Sequence, residues 1–113
     1  MTARLPSAML VSALVRRVQA EGGHATILAR GEADAGAILF AAAERGRISG
    51  LFERVLDIDG VYQWAPCGPQ TSEKEAEFSD YLDRRIARDP DLWVIELDIA
   101  DAERFAAETI ASG

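Results

Sequence analysis

The chain has 113 residues, 49% of them hydrophobic and 27% charged, with a formal net charge of −7. That balance specifies one soluble globular domain, long enough to bury roughly two-thirds of its unfolded surface with no disulfide or metal to staple it. The acidity argues against a nucleic-acid backbone or an anionic membrane surface as partner, and a single cysteine, Cys67, excludes an intrachain disulfide and suits a reducing compartment.

Residues 1–6 read as a frayed end closed by Pro6. From Ser7 to Glu21 the apolar positions Leu10, Val11, Leu14, Val15 and Val18 form the stripe of an amphipathic helix, and Gly22-Gly23 closes it. The apolar patch Met9–Val15 is interrupted too soon for a signal peptide. Arg16 and Arg17 follow it, where a twin-arginine export signal would place them first. No run reaches the ~18 apolar residues of a membrane span, so the expectation is a cytoplasmic protein.

His24 to Arg30 alternates as a strand. The loop Gly31–Gly36 then turns the chain into a second strand, Ala37 to Glu44, apolar on both faces as an interior strand should be. Arg45-Gly46-Arg47 is a turn, and Ile48 to Asp57 is a third strand with a kink or bulge at Gly50. Asp59-Gly60 reads as a two-residue hairpin turn with φ > 0 at both central positions. Val61 to Ala65 returns as a fourth strand with Tyr62 and Trp64 on one face. Pro66-Cys67-Gly68-Pro69 then breaks the sheet and leaves Cys67 in an exposed loop.

Ser72 and Glu75 form a capping box that opens a second helix. Phe78, Tyr81, Leu82 and Ile86 make its inner stripe, and Pro90 ends it. The one lysine, Lys74, falls in its first turn. Leu92 to Asp98 alternates Trp93, Ile95 and Leu97 with Leu92 and Val94, which places it inside the sheet. Asp101 to Ile110 is either a short helix capped by Asp101 or an extended return, and the reading leans to helix. The expected fold is therefore α+β, a two-layer sandwich of order α-β-β-β-β-α-β: a mainly antiparallel meander of about five strands with two helices on one face. Those helices leave the second face without cover, so a homodimer is expected to supply it.

The candidate binding site is the Arg30–Gly36 loop. Arg30 supplies a bidentate charge, Asp34 a hydroxyl acceptor, and the backbone near Gly36 approaches a small anionic ligand closely. The alternative is a plain loop whose glycines supply φ > 0 and whose Asp34 bonds its own backbone. The loop lacks the Gly-Lys-Ser/Thr ending and following helix of a phosphate-binding loop. Asp91 and Trp93, in Asp89-Pro90-Asp91-Leu92-Trp93, and His24 are candidate walls of the same site. The same tryptophan also fits a core position after a helix stop. Arg45, Arg47 and Arg54 cluster around one hairpin, as an anion patch or as a solvated strand end.

No catalytic residue, metal or cofactor is expected. Asp57-Ile58-Asp59-Gly60 fails as a calcium loop, because Val55 and Pro66 would stand at its first and last ligand positions. One histidine and one cysteine exclude zinc sites built from those residues. A Cys67–His24 or Ser49–His24 pair lacks a third, orienting residue and the Gly-x-Ser-x-Gly elbow.

Several segments together resemble a known family. They are Arg4-Leu5-Pro6, Ser12-Ala13-Leu14-Val15-Arg16-Arg17, Gly22-Gly23-His24-Ala25, Arg30-Gly31-x-x-Asp34-Ala35-Gly36-Ala37-Ile38 and Asp89-Pro90-Asp91-Leu92-Trp93-Val94-Ile95-Glu96. In this order and spacing they resemble a family of short alphaproteobacterial proteins catalogued as a domain of unknown function. The likeness covers nearly the whole chain, apart from the variable stretch from about Glu44 to Ser79 and the segment Asp101–Ile110. It implies a bacterial, single-domain protein and carries over no activity. Two functions remain in play: a non-enzymatic binding or protein-interaction module, as a homodimer or with another protein; or a small-anion, metabolite or nucleotide-binding protein, with or without enzymatic activity, acting through Arg30, Asp34 and Gly36.

Overall fold

The apolar stripe of the first helix, α1 (Ser7–Ala20), buries Leu10, Val11, Leu14 and Val18 against one face of a five-stranded sheet. The computed structural model describes residues 5–69 and 75–112. Arg4, Lys74 and Ser72 of the expected capping box lie outside the described residues. The remaining elements follow as β1 (His24–Ala29), β2 (Ile38–Glu44), β3 (Arg47–Leu56), β4 (Tyr62–Cys67), α2 (Glu75–Arg88), β5 (Trp93–Asp98) and α3 (Ala102–Ser112). The α+β class, the element order and the mainly antiparallel five-stranded sheet all agree with the sequence. The ambiguous C-terminal segment is helical.

Strand order is β1-β5-β2-β3-β4. Only β2–β4 is a meander. The last strand inserts between β1 and β2, antiparallel to β1 and parallel to β2. The physical reason lies in β2 and β5 themselves. Both are apolar on the two sides, and such strands are stable only where both sheet faces are covered. Ile38, Phe40, Ala42, Trp93, Ile95 and Leu97 point to the α1 side. Leu39, Ala41, Leu92 and Val94 point to the other.

That other face is where the layering departs from expectation. The two helices that share a face are α1 and α3, the latter contributing Ala102 and Ala106. Helix α2 instead covers the opposite face with Phe78 and Leu82, so the domain has three layers rather than two. One chain thus covers both faces, and the expected need for a second copy to do so disappears. Burial of a side chain such as Phe78, which is 1% exposed, is worth roughly 1.5–3 kcal/mol.

Three local readings are corrected. Strand β4 runs through Pro66 to Cys67, paired with Phe52 and Leu51. Proline is tolerated there because β4 is an edge strand, and Cys67 is buried under α2 rather than exposed in a loop. The β3–β4 turn has φ > 0 at Gly60 alone. Its Gly60 N–H donates to the Asp57 carbonyl at 3.0 Å and Asp57 N–H to the Val61 carbonyl at 2.9 Å, a turn closed by a glycine bulge. The turn with two positive φ angles is Arg45-Gly46, between β2 and β3. The Asp98 carboxylate holds it by accepting from the Arg45 and Gly46 amides at 2.9 and 2.7 Å. The bulge expected near Gly50 is present, the register shifting opposite Ala42 and Ala43.

Candidate functional site

The Arg30–Gly36 loop carries the chain from β1 over the start of β5 to β2. Neither of its glycines has a positive φ; they are required by proximity. A Cβ on Gly31 would lie 2.1 Å from the Asp91 carbonyl oxygen, and one on Gly36 2.3 Å from the same atom. The Glu32 N–H donates to that carbonyl at 3.0 Å, and the Trp93 indole N–H donates to the Glu32 carbonyl at 2.8 Å. From the other side, the Ser7 and Ala8 amides at the start of α1 donate to the Asp34 and Ala33 carbonyls at 3.0 and 2.9 Å. The buried Ser7 hydroxyl donates to the Gly36 carbonyl at 2.7 Å. The loop therefore ties the first helix to the start of β5.

Two of its amides are spent on its own side chain. The Glu32 carboxylate accepts from the Ala35 amide at 2.7 Å and from the Asp34 amide at 3.1 Å. These donors hold the Glu32 carboxyl below the ordinary carboxylate value. Of the residues picked from the sequence, Gly36, Asp91 and Trp93 meet through backbone and indole contacts, while the polar side chains do not converge. The Arg30 and Asp34 side chains are exposed, Gly36 is buried, and Asp91 contributes its backbone while its side chain faces solvent. Trp93 is buried and spends its indole N–H inside the fold. His24 opens β1 opposite Asp98, about 20 Å of strand away from Arg30 at ~3.3 Å per residue.

Ser7 and Glu32 are the residues that organise the loop. A serine directly after Pro6 at a helix start was the one signal in the sequence for Ser7, and its burial was not legible there. For Glu32 the only hint was a carboxylate between two glycines.

The nucleophile pairs also separate. Cys67 and His24 stand on opposite edge strands, four spacings of about 4.8 Å apart across the sheet. Ser49 on β3 is three such spacings from His24, and its hydroxyl donates to the Ala42 carbonyl at 3.2 Å. Burial pushes the Cys67 thiol up, away from the thiolate a nucleophile needs. Among the described residues no group of three His, Cys, Asp or Glu side chains gathers to hold a metal, and no helix is long and apolar enough to cross a membrane.

Exposed apolar surface is concentrated instead at the β3–β4 hairpin. Five large hydrophobic residues are exposed among the described residues, and Leu56, Ile58 and Val61 of that hairpin are three of them. Ile58, at the tip, is 100% exposed. The tip is nevertheless held rigidly. The Asp57 carboxylate accepts from the Asp59 and Val61 amides, both at 2.9 Å, and from the Gln63 side-chain amide at 2.6 Å. A fourth exposed hydrophobe, Met9, lines an open groove of about 470 Å³ on the outer side of α1 with Leu5, Ala8, Ser12, Ala13 and Arg16.

A family model described as a protein of unknown function, DUF1491, matches residues 5–107. The crystal structure of a DUF1491 family protein from Caulobacter crescentus is similar at a TM-score of 0.78 and 34% identity, covering 90% of this chain and 94% of that one. An NMR structure of a DUF1491 family protein from the same organism gives 0.77 and 33%, covering 92% and 94%. The solution structure of protein Atu0922 from A. tumefaciens gives 0.67 and 30%, covering 88% and 89%. No curated protein matches.

Proposed function

The chain belongs to the DUF1491 family, whose function is unknown, and from that premise we propose that it is a non-enzymatic protein-interaction module that pairs with a second copy of itself. The observation that carries this reading is the β3–β4 hairpin tip. A fully exposed isoleucine on a backbone fixed by Asp57 is an anchor with little left to order on binding. Such a preorganised apolar side chain seeks a socket. The α1 groove offers one of matching character: Met9, Ala8 and Ala13 give apolar walls, and Arg16 gives a charge for Asp59 beside Ile58. Two copies that exchange tip and groove about a two-fold axis close on themselves rather than growing into a fibre.

A cytoplasmic location is part of the same proposal, supported by Cys67, which is kept as a free, buried thiol. The other reading, a small-anion, metabolite or nucleotide site at Arg30, Asp34 and Gly36, has less support, because Glu32 already occupies the amides a ligand would use. The test is mass in solution for the wild type and for Ile58→Asp and Met9→Asp. Both substitutions should convert dimer to monomer, with a melting temperature that no longer rises with protein concentration as that of the dimer does. A dimer indifferent to both would contradict the tip-in-groove contact.

A further inference from the structure

We propose that the cleft on α2 lined by Tyr81, Arg84, Arg85 and Arg88 binds the phosphoryl head group of a small molecule. This site is independent of the hairpin and lies on the opposite side of the sheet from α1. Positions 81, 84, 85 and 88 recur at i, i+3, i+4 and i+7, so all four side chains leave one side of the helix. Two of them are fixed in advance. The Arg85 guanidinium donates to the Glu53 carboxylate at 2.7 Å and to the Tyr81 hydroxyl at 2.8 Å. The Tyr81 ring is seated on Gly68, where an added Cβ would come within 2.8 Å of it and where φ is +64°.

The other two arginines are left with charge to spend. Among the described residues no carboxylate closes an ion pair on Arg84 or Arg88, in a chain that carries 19 acidic residues against 12 basic ones. Arg84 and Arg88 stand four apart on one helix, a like-charge spacing that is unfavourable until an anion bridges it. Arg85 is matched by Glu53, and Arg84 and Arg88 bring two further guanidiniums that close no ion pair with the neighbouring Asp80 or Asp89 among the described residues. Their charge outweighs the roughly half negative charge of the helix C-terminus nearby.

Size and donor geometry select the ligand. The cleft holds about 230 Å³, below the ~300–1,000 Å³ of pockets that enclose a whole small molecule. A head group fits, and the remainder of the molecule stays outside. Planar guanidinium forks match the oxygens of a phosphate, and several forks on one side favour its dianion over a single carboxylate.

The experiment is an NMR titration of the full chain with inorganic phosphate and, separately, with glycerol phosphate, reading backbone and arginine Nε–H shifts. Saturable shifts confined to Tyr81, Arg84, Arg85 and Arg88 are expected. Equal affinities would identify free phosphate as the ligand, and tighter binding of the ester would identify an organic phosphate; either supports the site. The Arg84→Gln/Arg88→Gln double variant should weaken binding at least tenfold with its melting temperature unchanged, while Arg45→Gln/Arg47→Gln should leave binding intact. Linear, unsaturated shifts, shifts spread equally over Arg45 and Arg47, or binding unaffected by the double variant would overturn the proposal. Binding of a polyanion such as RNA without saturable binding of either small phosphate would overturn it as well.

Discussion

Gly31→Ala separates a structural clamp from a ligand loop. The new Cβ would stand 2.1 Å from the Asp91 carbonyl oxygen, 2.7 Å from the Leu92 carbonyl carbon and 2.7 Å from Trp93 Cδ1. Ordinary contact begins at 3.4 Å, so the loop must retreat from β5 by about 1.3 Å. That movement stretches the 3.0 Å bond from Glu32 N–H to Asp91 beyond hydrogen-bond range and strips the Trp93 indole of its acceptor. A lost backbone bond costs about 1 kcal/mol and a buried donor left alone about 1–3 kcal/mol. The reduced freedom of the unfolded chain returns roughly 0.4–1 kcal/mol. The net expectation is a loss of about 1–3.5 kcal/mol out of the ~5–15 kcal/mol typical of a domain. Urea unfolding followed by tryptophan fluorescence should show the midpoint fall with an unchanged slope. Arg30→Ala and Asp34→Ala, which remove exposed side chains, should each stay within about 0.5 kcal/mol of wild type. The reasoning is refuted if Gly31→Ala costs under ~1 kcal/mol, or if either polar substitution costs as much as the glycine does.

Glu32 has a carboxyl pKa lowered mainly by the Ala35 amide and then by the Asp34 amide. A depressed folded-state value means its contribution is present above the ordinary value of 4.5 and is lost as pH falls through the folded one. Glu32→Gln should therefore remove part of the stability loss seen as pH falls below about 4.5, and an identical acid profile in the variant would refute the assignment. Arg45 holds φ +53° in a turn that favours asparagine before glycine. Arg45→Asn should raise stability by about 0.5–1 kcal/mol, and denaturation showing a loss would contradict the strain argument. Phe78→Ala empties the contact between α2 and the sheet and should cost about 3–5 kcal/mol; calorimetry showing less than ~1 kcal/mol would mean that α2 does not cover that face.

Local periodicity carried most of the fold. The stripe Leu10–Val11–Leu14–Val18 placed α1, and the two-sided apolar runs of β2 and β5 placed both strands in the interior. Pairing between strands far apart in sequence has no periodic signature, so the insertion of β5 between β1 and β2 was not legible. An apolar stripe also says nothing about which face of a sheet a helix covers, and α2 was assigned to the wrong side for that reason. Pro66 was read as a breaker because an edge strand cannot be recognised before the strand order is known, and the burial of Cys67 was missed with it. At the loop, Gly31 and Gly36 marked the right place. Their close approach to Asp91 places a backbone strand against them, where the sequence reading placed a ligand. Tyr81 was read only as part of the inner stripe of α2, and the cleft it shares with Arg84, Arg85 and Arg88 was not legible, because it depends on Glu53 and Gly68 from another part of the chain.

The account's central claim is an interaction module that pairs through the Ile58 tip. Sedimentation equilibrium of the wild type and of Ile58→Asp at matched concentrations tests it most directly. The account predicts twice the 12.2 kDa chain mass for the wild type and a single chain mass for the variant, which keeps a cooperative unfolding transition at a concentration-independent midpoint. A wild type that stays at the single chain mass up to the highest soluble concentration would contradict it.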